Sequence, residues 1–251
     1  MQNLRSPAVL DAYLRVNGRA ASPHLDRLCG QFHAHTTLLY WFTDLDAALV
    51  EARRTRRPVL SLRLLGRLDE EMSCANSRFF RRLLYPEARI NRLLRERFVL
   101  HWQTVRNVPK VTIDFGNGRR VQRTITGNSL HLVLDGNGRP IDALPGLVSP
   151  DVFYRLLTGE RVALPPVAPA RAVAASEIAM TKHRVELPLL RAISTDLDGD
   201  TRRNLELHEK IRDALANGAW TADERVAWFY RDLFLMPLDD AALGLDTPDP
   251  F

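Results

Sequence analysis

The sequence predicts an α/β protein built on a central mixed sheet that is flanked by helices. The first observation is a strand–helix–strand pattern over residues 58–105, which is typical of a β-α-β crossover between parallel strands. The second is a pair of hairpin signals further along the chain, which adds antiparallel strands. The third is helical periodicity at both ends. We therefore expect an N-terminal helical extension (1–36), a sheet domain (37–163) and a C-terminal all-helical appendage (170–251).

Bulk composition fits a folded protein of a reducing compartment. The chain has 251 residues, of which 45% are hydrophobic, so it can bury a sizeable core. Its two cysteines do not make a disulfide framework. No stretch approaches the roughly 20 apolar residues of a membrane span, and the start of the chain lacks the apolar core of a signal peptide. A cytoplasmic location without membrane association is expected.

The N-terminal extension is predicted to contain two short helices. The second has Ser22 as its cap and Pro23 in its first turn, and is expected to run through Phe32. Cys29 lies on this helix. It is interpreted either as a small buried hydrophobic residue or as a thiol that could resolve an oxidised Cys74.

Cys74 lies between the first apolar strand and the helix of the predicted crossover. Ser73 is the predicted N-cap, which would make Cys74 the first helical residue and place Ser77 one turn later on the same face. Unpaired amides and the helix dipole stabilise a thiolate at such a position. The carboxylates of residues 69–71 oppose that effect, so the sign of the net shift stays open. Thiol chemistry would require an exposed sulfur with a pKa well below about 8.5.

Two hairpins follow the crossover. The first surrounds Asn117-Gly118 and the second surrounds Asn137-Gly138, after which Ser149 and Pro150 open a closing helix. Arginines flank the first hairpin, and Arg106 is one of them. A guanidinium that reached Cys74 would favour the thiolate and orient a peroxide or carboxylate. The alternative is a solvated hairpin.

The stretch from residue 41 to residue 158 resembles the thioredoxin-fold superfamily. It is most similar to bacterial thioredoxin-like proteins in which an amphipathic helix (here DLDAALVEARRTRR), an RPVL strand, a cysteine motif and an FV strand follow at this spacing. The run ITGNSLHLVLDGNGR resembles the part of that fold that crosses in front of the cysteine. Two departures bear on function. The motif is Cys74-Ala-Asn-Ser77, without a second thiol, and Ser129 stands where the family has a cis-proline, so a trans bond is expected there.

The resemblance implies two functions. In the first, Cys74 attacks a peroxide or mixed disulfide, and Ser77 with the helix amides holds the developing charge. An external thiol reductant, or Cys29, would then restore the thiol. The candidate substrate-binding residues are Asn76, Arg78, Ser129 and Arg106. In the alternative, the module has lost redox chemistry and binds a peptide or protein partner in the same cleft. Neither function implies a cofactor.

A third hypothesis comes from charge. The net charge is +5 with a pI of about 9.6, and nearly all basic residues are arginine. The arginine runs over residues 53–57 and 78–97 could form a phosphate-binding surface. The favoured interpretation is that they are the solvated faces of two amphipathic helices. The chain lacks the mixed aromatic and basic motifs of nucleic-acid modules, so a nucleic-acid partner is not expected.

The C-terminal region begins after a proline-rich linker, LPPVAP. Helices are predicted over residues 170–194 and 200–217, and a capping box from Thr221 to Glu224 opens another through Leu235. These helices would cover one side of the sheet or form a face for self-association into a homo-oligomer. Neither the DLDGD run at Asp196, which departs from the calcium-loop pattern, nor the histidine pair at 33 and 35 predicts a metal site.

Overall fold

The computed structural model describes residues 6–124, 127–163, 197–216 and 221–243. Its central sheet has five strands, in the spatial order β1-β3-β2-β6-β7. Two further strands, β4 and β5, form a separate exposed hairpin. The strands are β1 Trp41–Phe42, β2 Val59–Leu65, β3 Val99–Arg106, β4 Lys110–Asp114, β5 Arg120–Thr124, β6 Ser129–Leu134 and β7 Pro140–Pro145.

Strand directions make the sheet mixed. β1 and β2 run parallel to β3, with Leu62 opposite Trp102, whereas β6 is antiparallel to β2, with His131 opposite Leu62. β7 then returns antiparallel to β6. The predicted crossover and both predicted hairpins are confirmed. Every residue of β2 and β6 is buried, as expected for the inner strands of a sheet covered on both sides.

Helices flank this sheet, which confirms the predicted α/β class. They are α1 Pro7–Asn17, α2 Pro23–Cys29, α3 Leu45–Thr55, α4 Ala75–Phe79, α5 Ala88–Arg97, α6 Pro150–Leu157, α7 Leu197–Ala216 and α8 Ala222–Trp228. Two of them, α4 and α8, continue as wider π-helical turns, at Phe80–Leu84 and Phe229–Leu233. The helix predicted over residues 170–194, and Asp196, lie outside the described residues.

Local capping chemistry explains several helix ends. Ser22 and Ser149 each accept an amide of the first turn of their helix, followed by proline, as predicted. Thr221 and Glu224 form the predicted capping box of α8. The prediction that α2 runs through Phe32 is wrong. Its last residue is Cys29, because Gly30 adopts a left-handed conformation and its amide turns back onto the last carbonyls.

The two faces of the sheet are covered by different parts of the chain. On one face, His131 packs against Phe80 and Phe153, with ring centroids 4.7 and 5.0 Å apart, and its Nε2 lies 2.8 Å from the Tyr85 hydroxyl. On the other face, Arg63 alternates with Leu62 along β2 and binds the first turn of α8. The C-terminal helix α8 therefore covers the sheet face opposite α4 and α6.

The N-terminal helices form a smaller apolar cluster of their own. Its buried members are Leu10, Leu25, Leu28, Cys29, Ala34 and Leu38. Two indole N–H groups join it to the sheet: Trp102 donates to the Gly30 carbonyl (2.7 Å) and Trp41 donates to Gln31 (2.9 Å). Across the described ranges, no helix combines the length and apolar character needed to cross a bilayer.

Candidate functional site

Cys74 is the N-cap of α4. Its amide donates to the Leu65 carbonyl at the end of β2 (3.3 Å), and its own carbonyl accepts the amide of Arg78 (3.2 Å). The prediction that Ser73 caps this helix is therefore displaced by one residue. The Cys74 side chain makes no capping hydrogen bond. The amide and hydroxyl of Ser77 nevertheless lie near the sulfur and lower the pKa of the thiol.

The sulfur is covered. Cys74 has no exposed surface, and Gly127 crosses directly in front of it. A Cβ atom on Gly127 would lie 2.7 Å from the Cys74 Cβ and 3.1 Å from the Ala75 amide nitrogen, so only glycine allows this close approach. The expectation of an exposed sulfur is wrong, because Cys74 is buried in the hydrophobic core and the Gly127 backbone packs against its Cβ.

Burial also decides the protonation state. It raises the pKa of the Cys74 thiol above its ordinary value, since an apolar environment disfavours the charged form. The amide and hydroxyl of Ser77, followed by the charges of Arg78 and Arg81, lower it, but by less. In this buried environment the thiol is therefore protonated at neutral pH.

Two of the candidate substrate-binding residues are bonded to each other. The side-chain amide of Asn76 donates to the Ser129 hydroxyl (3.0 Å), and both residues are buried. This bond ties the first turn of α4 to the start of β6. No cis peptide occurs within the described ranges, so the expectation of a trans bond at Ser129 is confirmed.

The two candidate arginines lie in different places. Arg78 donates from Nη1 to the Ser73 carbonyl and to the Thr124 hydroxyl, both at 3.0 Å, which keeps it beside the cysteine loop. Arg106 instead donates to backbone carbonyls of residues 238, 240 and 241. It is absent from the charges that act on Cys74. The structure thus gathers Cys74, Asn76, Ser77, Arg78 and Ser129 at one site, and places Arg106 against the C-terminal segment.

Sequence reasoning missed Arg81 as a site residue. The charge pattern favours a solvated helix face for this arginine, but its side chain is only 3% exposed. Its guanidinium donates to the Ser73 hydroxyl (2.9 Å) and the Ser77 carbonyl (3.2 Å), and the Ser77 hydroxyl donates to that of Ser73. The spacing of Ser73, Ser77 and Arg81 at intervals of four puts them on one face of the turn, and that periodicity was a usable signal.

Tyr230 was missed as well, and no local pattern pointed to it. It lies in the π turn after α8, is fully buried, and donates its hydroxyl to the Asn128 carbonyl (3.0 Å). Cys74 is close enough to contribute to a raised pKa of this tyrosine, after burial, which is the main cause. The C-terminal segment thus holds the backbone next to Gly127 from the far side of the sheet.

A cleft of about 310 Å³ opens beside the covered thiol. Asn76, Gly127 and Asn128 line it on the thiol side, and Asn204 and Phe234 line it on the side of the C-terminal helices. This volume lies at the lower end of the range for small-molecule sites. The cleft gives a ligand access to the outer edge of the segment that covers Cys74.

Cys29 lies in the N-terminal cluster, and neither cysteine is part of a disulfide. Among the described residues, no group of three or more His, Cys, Asp or Glu side chains is arranged to hold a metal ion. Comparison with known proteins found no family model and no curated protein that matches the chain.

Proposed function

We propose that the chain is a thioredoxin-fold protein that carries out thiol chemistry at a single cysteine. The fold assignment is supported by the strand order β1-β3-β2-β6-β7, with three parallel strands followed by two antiparallel ones. It is also supported by a cysteine at the start of the helix after β2 and by a segment that crosses in front of it.

The observation that carries the thiol proposal is the polar surrounding of a buried sulfur. Cys74 belongs to the hydrophobic core. Polar groups nevertheless lie on one side of it: Ser77 and the charges of Arg78 and Arg81 all lower the pKa of its thiol, although by less than burial raises it. When the Gly127 segment moves away, desolvation is relieved, and these donors then favour the thiolate.

In the proposed reaction, the Cys74 thiolate attacks the terminal oxygen of a hydroperoxide. The S–O bond forms as the O–O bond breaks, which leaves a sulfenic acid on Cys74 and an alkoxide or hydroxide that takes a proton from water. The sulfur loses two electrons and the peroxide gains them. Because Cys29 lies in another cluster, an external thiol would attack the sulfenic acid, release water and leave a mixed disulfide, and a second thiol would then restore Cys74.

A second function is favoured by the burial itself. With the sulfur unexposed and its pKa raised, the protein would be a redox-inactive binding module. Its ligand, an extended peptide or small polar molecule, would occupy the cleft beside Asn76 and Asn128.

Brief exposure to hydrogen peroxide, followed by trapping of sulfenic acid with a carbon nucleophile and mass spectrometry, separates the two functions. We expect trapped product on Cys74 and little on Cys29, which is equally buried but is not among the groups that act on Arg78 or Arg81. Cys74→Ser should remove the product and consume no peroxide. Equal, slow oxidation of both cysteines would refute thiol chemistry and leave the binding module.

A further inference from the structure

Two guanidinium groups lie near Cys74, and among the described residues no carboxylate forms an ion pair with either. Arg81 is 3% exposed and lies over the Phe32 ring (5.3 Å to the ring centroid), and Arg78 is half-buried. Their hydrogen bonds go to neutral acceptors: hydroxyl groups of Ser73 and Thr124, and backbone carbonyls. A buried charge with only neutral partners is costly, which indicates that an anion completes the site during function.

The hydrogen bonds of both arginines are incomplete as well. Nη1 of Arg81 and Nε of Arg78 are buried without any acceptor. Most buried side-chain donors in proteins are satisfied, so orphaned donors at a functional cleft call for a specific partner. The other two nitrogens of Arg81 are held by Ser73, Ser77 and the Glu71 carbonyl, so the guanidinium is fixed in place before any anion arrives.

The anion can be identified from what surrounds these arginines. Of the groups that can become negative, Cys74 acts most strongly on both Arg78 and Arg81, ahead of Asp26 in the case of Arg81. The other titratable groups that face the thiol are Tyr85 and Tyr230, and burial raises the pKa of each well above its ordinary value, so they stay neutral. Ionised Cys74 is therefore the natural counter-ion.

We propose that Arg78 and Arg81 together are the positioning residues that pair with the Cys74 thiolate and then with the oxygen of its sulfenate. This inference rests on the proposed thiol function and adds to it the groups that stabilise both anions. Burial opposes a guanidinium charge and lowers the pKa of Arg81 to about 10, which still leaves it protonated at neutral pH. A charge-assisted hydrogen bond from a fixed arginine would also stabilise the negatively charged oxygen of a sulfenate.

The test is a titration in which the thiolate is followed by its ultraviolet absorbance. The absorbance of the Cys74→Ser protein is subtracted at each pH, which removes the contributions of the tyrosines and of Cys29. Arg78→Gln and Arg81→Gln should each raise the midpoint of Cys74 by up to about one pH unit, because each removes a positive charge that favours the thiolate. The rise should be at least as large for Arg78→Gln, since Arg78 lowers the pKa of the thiol more than Arg81 does. Arg82→Gln is the matched control: Arg82 is on the same turn but is not among the charges that act on Cys74, so the midpoint should stay in place.

A conservative substitution at Arg81 distinguishes the effect of its positive charge from the effect of its hydrogen bonds. Arg81→Lys loses the fork of hydrogen bonds but keeps the charge, so it should recover much of the shift. The trapped sulfenic acid should also be shorter-lived in Arg81→Gln than in Arg82→Gln. If Arg81→Gln fails to fold, the same titration is made on Arg81→Lys and Arg78→Gln. A midpoint that is the same in all arginine variants, or equally raised by Lys and Gln, would overturn the inference. Failure of the wild-type protein to react with peroxide would instead overturn the thiol function.

Discussion

Gly127→Ala is the substitution that most directly tests the covered state of the thiol. The added Cβ would lie 2.7 Å from the Cβ of Cys74, about 0.7 Å short of the 3.4 Å at which ordinary van der Waals contact begins. The atoms that this Cβ would meet are the Cβ and backbone atoms of Cys74 and Ala75, which cannot rotate away as the end of a flexible side chain can. The segment itself has to move.

The free-energy cost of this substitution can be estimated. Inserting one methyl group into a well-packed site costs about 1–3 kcal/mol. Because that strain is relieved when the segment lifts off Cys74, the open state becomes about 5- to 150-fold more populated. The alkylation rate of a buried thiol follows the population of the open state when opening and closing are fast, so it should rise by the same factor.

The assay is alkylation with a neutral reagent under native conditions, with both cysteines quantified by mass spectrometry. Cys29 reports global unfolding and should keep its rate, since it is buried in a separate cluster. Gly136→Ala is the control variant, because a Cβ there meets only the flexible Arg53 side chain, at 3.3 Å. An unchanged Cys74 rate in a folded Gly127→Ala protein would show that this segment does not protect the thiol. Equal acceleration of both cysteines would point to global unfolding instead.

Two further predictions concern the supports of the site. Tyr230→Phe removes the hydroxyl that donates to the Asn128 carbonyl, which should cost about 0.5–1.5 kcal/mol and raise Cys74 alkylation several-fold. Burial lowers the pKa of His131 to about 3, whereas its value in an unfolded chain is 6.5. Between pH 6.5 and pH 3 the unfolded state therefore binds a proton at this histidine and the folded state does not, so the free energy of unfolding should decrease as the pH drops. Urea unfolding across this pH range should show a smaller decrease for His131→Gln than for the wild-type protein. A slope identical to that of the wild-type protein would contradict this account.

Much of the fold could be predicted because its signals are local. Hairpins follow from Asn-Gly turns between alternating runs, and the helix at Ser149-Pro150 follows from its cap. The helix after Cys74 is less regular than expected: it widens into a π turn and breaks before Pro86, and α5 begins only at Ala88. The domain limits proposed from composition stay predictions.

The candidate site was predictable only in part, for a related reason. Cys74, Asn76, Ser77 and Arg78 are neighbours in the chain, and Ser129 was placed by resemblance to a known fold. Arg106 was chosen because it precedes an arginine-rich hairpin, but its partners lie more than 130 positions away, at the carbonyls of residues 238–241. Whether an arginine such as Arg81 is solvated or buried depends on tertiary contacts, which the charge pattern of the sequence does not specify.

The sequence by itself determined the α/β class, the hairpins, and a single cysteine at the start of a helix, because periodicity, caps and turns act over a few residues. Only the tertiary structure decided that this cysteine is buried against Gly127, that Arg81 and Arg78 each have a buried nitrogen without a hydrogen-bond partner near it, and that α8 covers the opposite side of the sheet. The physical reason is that desolvation and charge pairing depend on which distant segments meet. The same thiol is favoured as an anion by its helix and disfavoured by its burial, and only the packed chain decides which effect is larger.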